Sequence, residues 1–190
     1  MVENSEFNGG FTMVYILLAD GFEEVEAIEP ADIMKRSGID VRTVSVTDKK
    51  VVTGAHGIPV TADIFIDEVE KDDMELLMLP GGGGHVLLDS SKAVHSLIDY
   101  AFENGIYLAA ICASPSILGK KGILNGKSAT CFPGFEKYLD GAKVSSEKAV
   151  TDGKIITGKG AGAASDFGFA IVTALKDAET AAAVKAQMQY

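Results

Sequence analysis

The chain reads as an α/β protein, one doubly wound domain on a mainly parallel sheet with helices on both faces. Three observations lead there. Short apolar runs alternate with amphipathic stretches of helical length from Met13 onward, the pattern of strand, crossover helix and strand. Apolar runs stop at glycines or small residues in DGF (20–22), PGGGG (80–84) and CAS (112–114). Residues just after strands are where open α/β sheets hold their ligands. Finally, the chain has 190 residues, 47% of them hydrophobic, enough for one domain around one core. No repeat and no linker-like stretch divides residues 13–190.

The elements follow in order. Met13 to Ala19 is a first strand, and Glu23 to Ser37 a helix closed by Gly38, a residue suited to the left-handed position after a helix. Ile39 to Val46 is the second strand. Residues 47–57 are polar and glycine-containing, and extended pieces at 58–60 and 64–66 are expected to form a small hairpin. Glu75 to Leu79 is a buried strand, Ser91 to Asn104 a helix ended by Gly105, and Tyr107 to Ile111 the next strand. A helix from Ser114 to Lys120 follows, then a strand at 127–131, a short helix at 134–139 and strands at 144–151 and 154–157. The glycine-rich turn GKGAGAAS (158–165) leads into an apolar helix at 166–175 and an alanine-rich helix to the end. Residues 1–12 are read as a flexible leader or an expression remnant outside the fold.

Composition excludes several classes. The net charge of −10 and the pI near 4.7 have the wrong sign for a phosphate-backbone binder, so direct nucleic-acid binding is not expected. The longest apolar runs, MVYILLA and YLAAICA, fall far short of the roughly 20 residues a membrane helix needs. Two cysteines make no disulfide framework and residues 1–12 carry no signal peptide, so the expected compartment is the cytoplasm. His56, His85 and His95 are the three histidines. They are too dispersed to form a metal pattern with the cysteines, and no cofactor or metal is expected.

Three places carry chemistry. In LAAICASPSIL an apolar strand stops at Cys112, small residues follow and a helix begins, the layout of a nucleophile elbow. The helix N-terminus would favour the thiolate and lower the Cys112 pKa. A buried structural cysteine fits the same position. In EEVEAIE, Glu23, Glu26 and Glu29 share a helix face by their i, i+3 spacing. Such carboxylates complement a helix dipole without further function, but one turned into the crevice would gain a raised pKa and serve as general acid or base. In LPGGGGH (79–85) the glycines allow backbone N–H groups to turn toward an anion, and a plain turn fits equally. Neither that loop nor GKGAGAAS matches a nucleotide-binding fingerprint. Cys131, at a strand end, is either a second thiol near Cys112 or a core residue, the core reading being preferred.

Taken together, these motifs resemble the ThiJ/PfpI superfamily, the DJ-1/PfpI family, and its single-domain branch. The resemblance rests on ADGFEEVEAIEPADIMKRSG (19–38), LPGG (79–82), AAICASP (109–115) and GKGAGAASDFGFAIV (158–172) with the alanine-rich terminal helix. It implies a flavodoxin-like three-layer sandwich, the architecture of class I glutamine amidotransferases, and a homodimer with Arg36 near the subunit contact. It also implies a reactive Cys112, a protonated Glu26 hydrogen-bonded to its sulfur, and an oxyanion pocket from the N–H groups of Gly82 and Ala113. Glu23, Gly81, Cys131 and Phe132 would line the pocket or support it.

Two departures narrow the expected activity. Where the protease-like branch has a His after the Cys, this chain has Ala113, and no His follows His95. A Cys-His triad, and with it peptidase or amidotransferase chemistry, is disfavoured. Phe132 stands where some relatives place a pocket His. The expected function is a cofactor-free, glutathione-independent glyoxalase or deglycase activity on small 2-oxoaldehydes such as methylglyoxal, or on their glycated adducts. The alternative is an oxidative-stress sensor or chaperone-like dimer acting through oxidation of Cys112. A role in thiazole phosphate biosynthesis finds no phosphate loop to support it.

Overall fold

The computed structural model describes residues 12–190; the expectation for the leader lies almost wholly outside them. In chain order the elements are β1 (Met13–Leu18), α1 (Glu24–Arg36), β2 (Val41–Ser45), β3 (Val51–Thr53), β4 (Pro59–Thr61), β5 (Ile64–Phe65), β6 (Met74–Leu79), α2 (His85–Ser90) and α3 (Lys92–Glu103). There follow β7 (Tyr107–Ile111), α4 (Pro115–Lys120), β8 (Ser128–Ala129), β9 (Lys143–Val144), β10 (Ala149–Asp152), β11 (Ile155–Gly158), α5 (Ala164–Leu175) and α6 (Ala178–Gln187).

Seven strands form one sheet in the order β10-β11-β7-β6-β1-β2-β5. Every pair is parallel except the β10–β11 hairpin at one edge. The core of that order, β2-β1-β6-β7-β11, is the flavodoxin-like one, in which the chain first builds outward from β1 and then returns to its other side. β1 is buried at every position because both faces are covered, which is why it reads as an unbroken apolar run. Its side chains divide by the period of two. Tyr15 and Leu17 pack with Leu88 of α2, Val94 and Ile98 of α3 and Ile117 of α4. Val14, Ile16 and Leu18 pack with Ile33 of α1, Phe167 and Ile171 of α5 and Val184 of α6. The result is the expected three-layer sandwich. No helix among the described residues is long and apolar enough to cross a membrane.

Local expectations needed correction where short strands are chosen by partners rather than by propensity. β4 pairs antiparallel with β3, inside the stretch read as a loop, and not with the piece at 64–65. That piece is β5, which extends the main sheet alongside β2. The expected strand at 127–131 shrinks to the two residues of β8, paired with β9. The expected strand at 144–151 splits into β9 and β10. The short helix at 134–139 is a single 3-10 turn, Glu136–Tyr138. The loop after PGGGG winds into α2, which the reading omitted.

Candidate active site

Three strands that end side by side, β1, β6 and β7, bring the candidate residues together at the carboxyl edge of the sheet. Between β1 and β6 the connections leave in opposite directions, which opens a crevice at that edge. From β1 the chain turns through Gly21 and buried Phe22 into α1. The Glu23 N–H donates to Gly81 O at 3.2 Å, and Phe22 and Gly82 form an isolated bridge. The start of α1 is thereby locked to the glycine loop after β6. Because Gly81 O and Gly82 N–H belong to one peptide, the Glu23 contact also sets where the Gly82 N–H points. On the following peptide, the His85 ring donates from Nδ1 to Gly82 O at 2.8 Å.

The glycines are required by space. A β-carbon on Gly81 would lie 2.6 Å from both the Cys112 Cβ and Glu26 Oε2. Gly82 has φ +77°, and a β-carbon there would sit 2.5 Å from Glu23 N. These two positions explain why LPGG is glycine-rich without any nucleotide.

Cys112 follows β7 with φ +65°, a left-handed conformation uncommon for a residue with a β-carbon. The turn is held on all sides. Cys112 N–H donates to Gly158 O at 2.9 Å and its carbonyl accepts from Phe132 N–H at 2.8 Å. Ser114 Oγ donates to Pro80 O at 2.5 Å, tying the turn to the end of β6. Ala113 and Ser114 are buried, so small side chains are a steric requirement of the elbow.

Glu26 is fully buried. Its Oε2 accepts from Gly81 N–H at 2.9 Å, and Oε1 has no nitrogen or oxygen partner. Burial pushes its carboxyl up to about 7, against hydrogen bonds from the Cys112 side chain and the Gly81 N–H. Burial and the neighbouring Glu26 carboxyl push the Cys112 thiol up to about 12, against hydrogen bonds from the Gly82 and Ala113 N–H groups. The expectation of a thiolate favoured by a helix N-terminus is therefore corrected. α4 is a six-residue helix, and its dipole does not outweigh desolvation and a carboxyl in contact. The sulfur and the carboxyl form one coupled unit, two acids in a pocket that resists holding both charges.

The remaining residues singled out in the sequence take up different places. Glu23 is the partly buried residue preceding α1. Glu24 Oε2 accepts from His56 Nδ1 at 2.8 Å, and Glu23 Oε1 lies 3.6 Å from the same atom. Burial would raise the Glu24 carboxyl, but hydrogen bonds from the His56 ring and from the His56 and Ile58 N–H groups outweigh it and hold it at about 2. The same hydrogen bond to Glu24, with the charges of both glutamates, raises the His56 pKa. Glu23, Glu24 and His56 place their donor atoms within 4.8 Å of one another, and Glu24 and the His56 ring already pair. Sequence reading missed this cluster and the His85 contact. Residue 56 lies more than thirty positions from Glu23, on a turn whose approach depends on the unrecognised β3–β4 ribbon. Cys131 is buried in the core on the α3 side, and burial with the nearby Glu136 pushes its thiol up to about 11. The Phe132 side chain is exposed, with its ring beside the Gly160 backbone. Arg36 ends α1 in an ion pair with Asp32 at 2.6 Å.

The geometry agrees with what comparison shows. The model of the DJ-1/PfpI family matches residues 12–174. Protein DJ-1 homolog B of Arabidopsis thaliana is 35% identical over 166 residues, covering 86% of this chain. The match takes up only 38% of that longer relative. A deglycase of Thermococcus kodakarensis is 38% identical over 117 residues, covering 62% of this chain and 70% of the relative. The structure of oxidized DJ-1 from Toxoplasma gondii superposes with a TM-score of 0.90 at 30% identity, covering 94% of this chain and 98% of the other. Family match, fold and the order of motifs along the chain agree, and the chain belongs to the DJ-1/PfpI family.

Proposed function

We propose that the protein is a cofactor-free glyoxalase or deglycase that acts on 2-oxoaldehydes of the methylglyoxal type or on their glycated adducts, with Cys112 as nucleophile. One observation carries the reading: a cysteine in a left-handed elbow beside a fully buried carboxyl, Glu26, the Cys112 Cβ and Glu26 Oε2 both lying 2.6 Å from where a β-carbon on Gly81 would sit. Relatives named deglycases support it.

In the proposed reaction the sulfur bonds to the aldehyde carbon, its proton passing through Glu26 to the carbonyl oxygen, which gives a hemithioacetal. The Gly82 and Ala113 N–H groups stabilise the oxygen as its charge develops. Ionised Glu26 then removes the proton from the former aldehyde carbon and returns it to the neighbouring carbon through an enediol, leaving a thioester. Water cleaves the thioester to lactate and frees the thiol. The sum is methylglyoxal plus water to lactic acid, with no change in the enzyme. A carboxyl whose ionisation lies near 7 is suited to give and take a proton in the same cycle. Lactate formation from methylglyoxal, without glutathione or metal, is the test. Cys112→Ala and Glu26→Gln are each expected to lower it by at least about a thousandfold, a typical size for loss of a nucleophile or base. Wild-type turnover in either variant overturns the mechanism.

A second reading is an oxidative-stress sensor or chaperone-like dimer. The oxidized state of the Toxoplasma relative favours it, and the same N–H groups and carboxyl would hydrogen-bond a sulfinate on Cys112. Mass spectrometry after mild peroxide separates the readings, since a Cys112 that stays unmodified excludes the sensor. In either case we propose a homodimer. Val25 and Ile28 of α1 and Ile58 beside β4 are exposed apolar side chains around a cavity of about 570 Å³. Asp32 lines the same cavity, so its ion-pair partner Arg36 sits at the rim of that face.

A further inference from the structure

A second cavity, of about 300 Å³, is walled by Phe132, Pro133, Ala161 and Ala163 with Lys148 and Lys159 at its rim. No carboxylate lines it. Both segments that build it are attached to the backbone of the reactive residue. Phe132 N–H donates to Cys112 O at 2.8 Å, and Cys112 N–H donates to Gly158 O at 2.9 Å, one residue before Lys159. The Phe132 side chain is 47% exposed, which is unfavourable for an aromatic ring unless something covers it. The ring lies against the Gly160 backbone, where a β-carbon would come within 3.2 Å of Phe132 Cδ2. The lysines do not make the cavity an anion site. Lys148 is paired with Asp166 at 3.0 Å, and Lys159 donates to Ser146 O at 3.3 Å. Their aliphatic stems extend the apolar wall while the charges face outward.

We propose that this cavity is the subsite for an apolar substituent on the electrophile that reacts at Cys112. Under the reading above, on which the substrate class rests, the protein favours 2-oxoaldehydes bearing an aryl or branched alkyl group over methylglyoxal. The reacting aldehyde sits between Cys112, Glu26 and the Gly82 N–H, and the substituent on the adjacent carbon extends over Gly160 against the Phe132 ring. A methyl group leaves the cavity empty, whereas a phenyl ring enters it and occupies part of the space. Since one methylene in an apolar pocket changes specificity by about tenfold or more, a phenyl group is expected to gain at least about tenfold.

The test uses two readouts on the 190-residue chain. The first is the rate of Cys112 modification by N-phenylmaleimide relative to N-methylmaleimide, followed by peptide mass spectrometry and divided by the same ratio for glutathione. The second is kcat/KM for mandelate formation from phenylglyoxal relative to lactate from methylglyoxal. Both normalised ratios are expected to exceed about ten in the wild type. Phe132→Ser removes the wall and Gly162→Leu fills the cavity from a position with open space around its β-carbon. Each is expected to bring the ratios down severalfold, with melting temperature recorded as a check on folding. A maleimide ratio equal to that of glutathione, or one that neither variant moves, overturns the subsite. If the maleimide ratio holds while neither aldehyde is turned over, the subsite stands and the glyoxalase reading fails.

Discussion

Cys112 and Glu26 are each placed where an isolated residue would not choose to be. The left-handed backbone of Cys112 costs about 1–2 kcal/mol, offset by the hydrogen bonds that the elbow makes to Gly158, Phe132 and Pro80. Glu26 is buried with one oxygen lacking a nitrogen or oxygen partner. Its raised pKa ties this placement to stability. The folded state holds the proton more tightly than the unfolded chain, so stability is greatest below the ordinary value of 4.5 and declines as pH rises through about 7. The cost above that pH is on the order of 3 kcal/mol. Glu26→Gln keeps the shape without the charge, and thermal melts are expected to show it more stable than wild type at pH 8, the advantage vanishing near pH 4. An equal difference at both pH values contradicts the linkage. The residue itself was only partly legible. Spacing placed Glu23, Glu26 and Glu29 on one face, the family resemblance selected Glu26, and burial under the β6 loop explains why. Glu23 instead faces His56, and Glu29 is hydrogen-bonded by Ser165.

At the level of elements, close approach between helices is as decisive as the strand-end turns. α1 packs against α5, and a β-carbon on Gly168 would come within 2.9 Å of Ile33 Cδ1 and 3.1 Å of the Pro30 Cα. Gly168→Val is expected to destabilise the fold by roughly 1–3 kcal/mol through overpacking. It should also lower activity, because α1 carries Glu26. Chemical denaturation and the lactate assay check the two effects. α6 depends on its cap, where Asp177 accepts from Thr180 N–H at 2.7 Å. Asp177→Ala is expected to remove about 1 kcal/mol and leave activity unchanged, since α6 packs chiefly against α5. Long elements were readable because each carries its own periodicity or a glycine stop. The two- and three-residue strands were not, because so few residues specify no register. β5 exists only because β2 offers an edge, and β8 only because β9 returns beside it.

For the molecule as a whole, the exposed apolar face of α1 and β4 is a face without a covering element in one copy of the chain. Ile28 is 40% exposed and Ile58 56%, and the proposed homodimer covers both. Sedimentation is expected to give a dimer for the wild type and a monomer for Ile28→Glu, since a charge buried in an apolar contact without a partner costs several kcal/mol. A monomeric wild type at micromolar concentration overturns the assembly. The proposed subsite belongs to this scale too, because Phe132 and Gly160–Ala163 come from distant stretches of the chain that meet only because both are tied to Cys112. By itself the sequence determined the α/β class, the long strands and helices, the elbow at Cys112 and the absence of a histidine after position 95, all of which rest on local pattern and composition. Only the tertiary structure decided which glutamate is buried, that the cysteine pKa rises instead of falling, and that His56 pairs with Glu24. It also decided that the two segments walling an apolar cavity are both hydrogen-bonded to the Cys112 backbone. Each of these depends on desolvation and on contacts between residues far apart in the chain, quantities that no local pattern encodes.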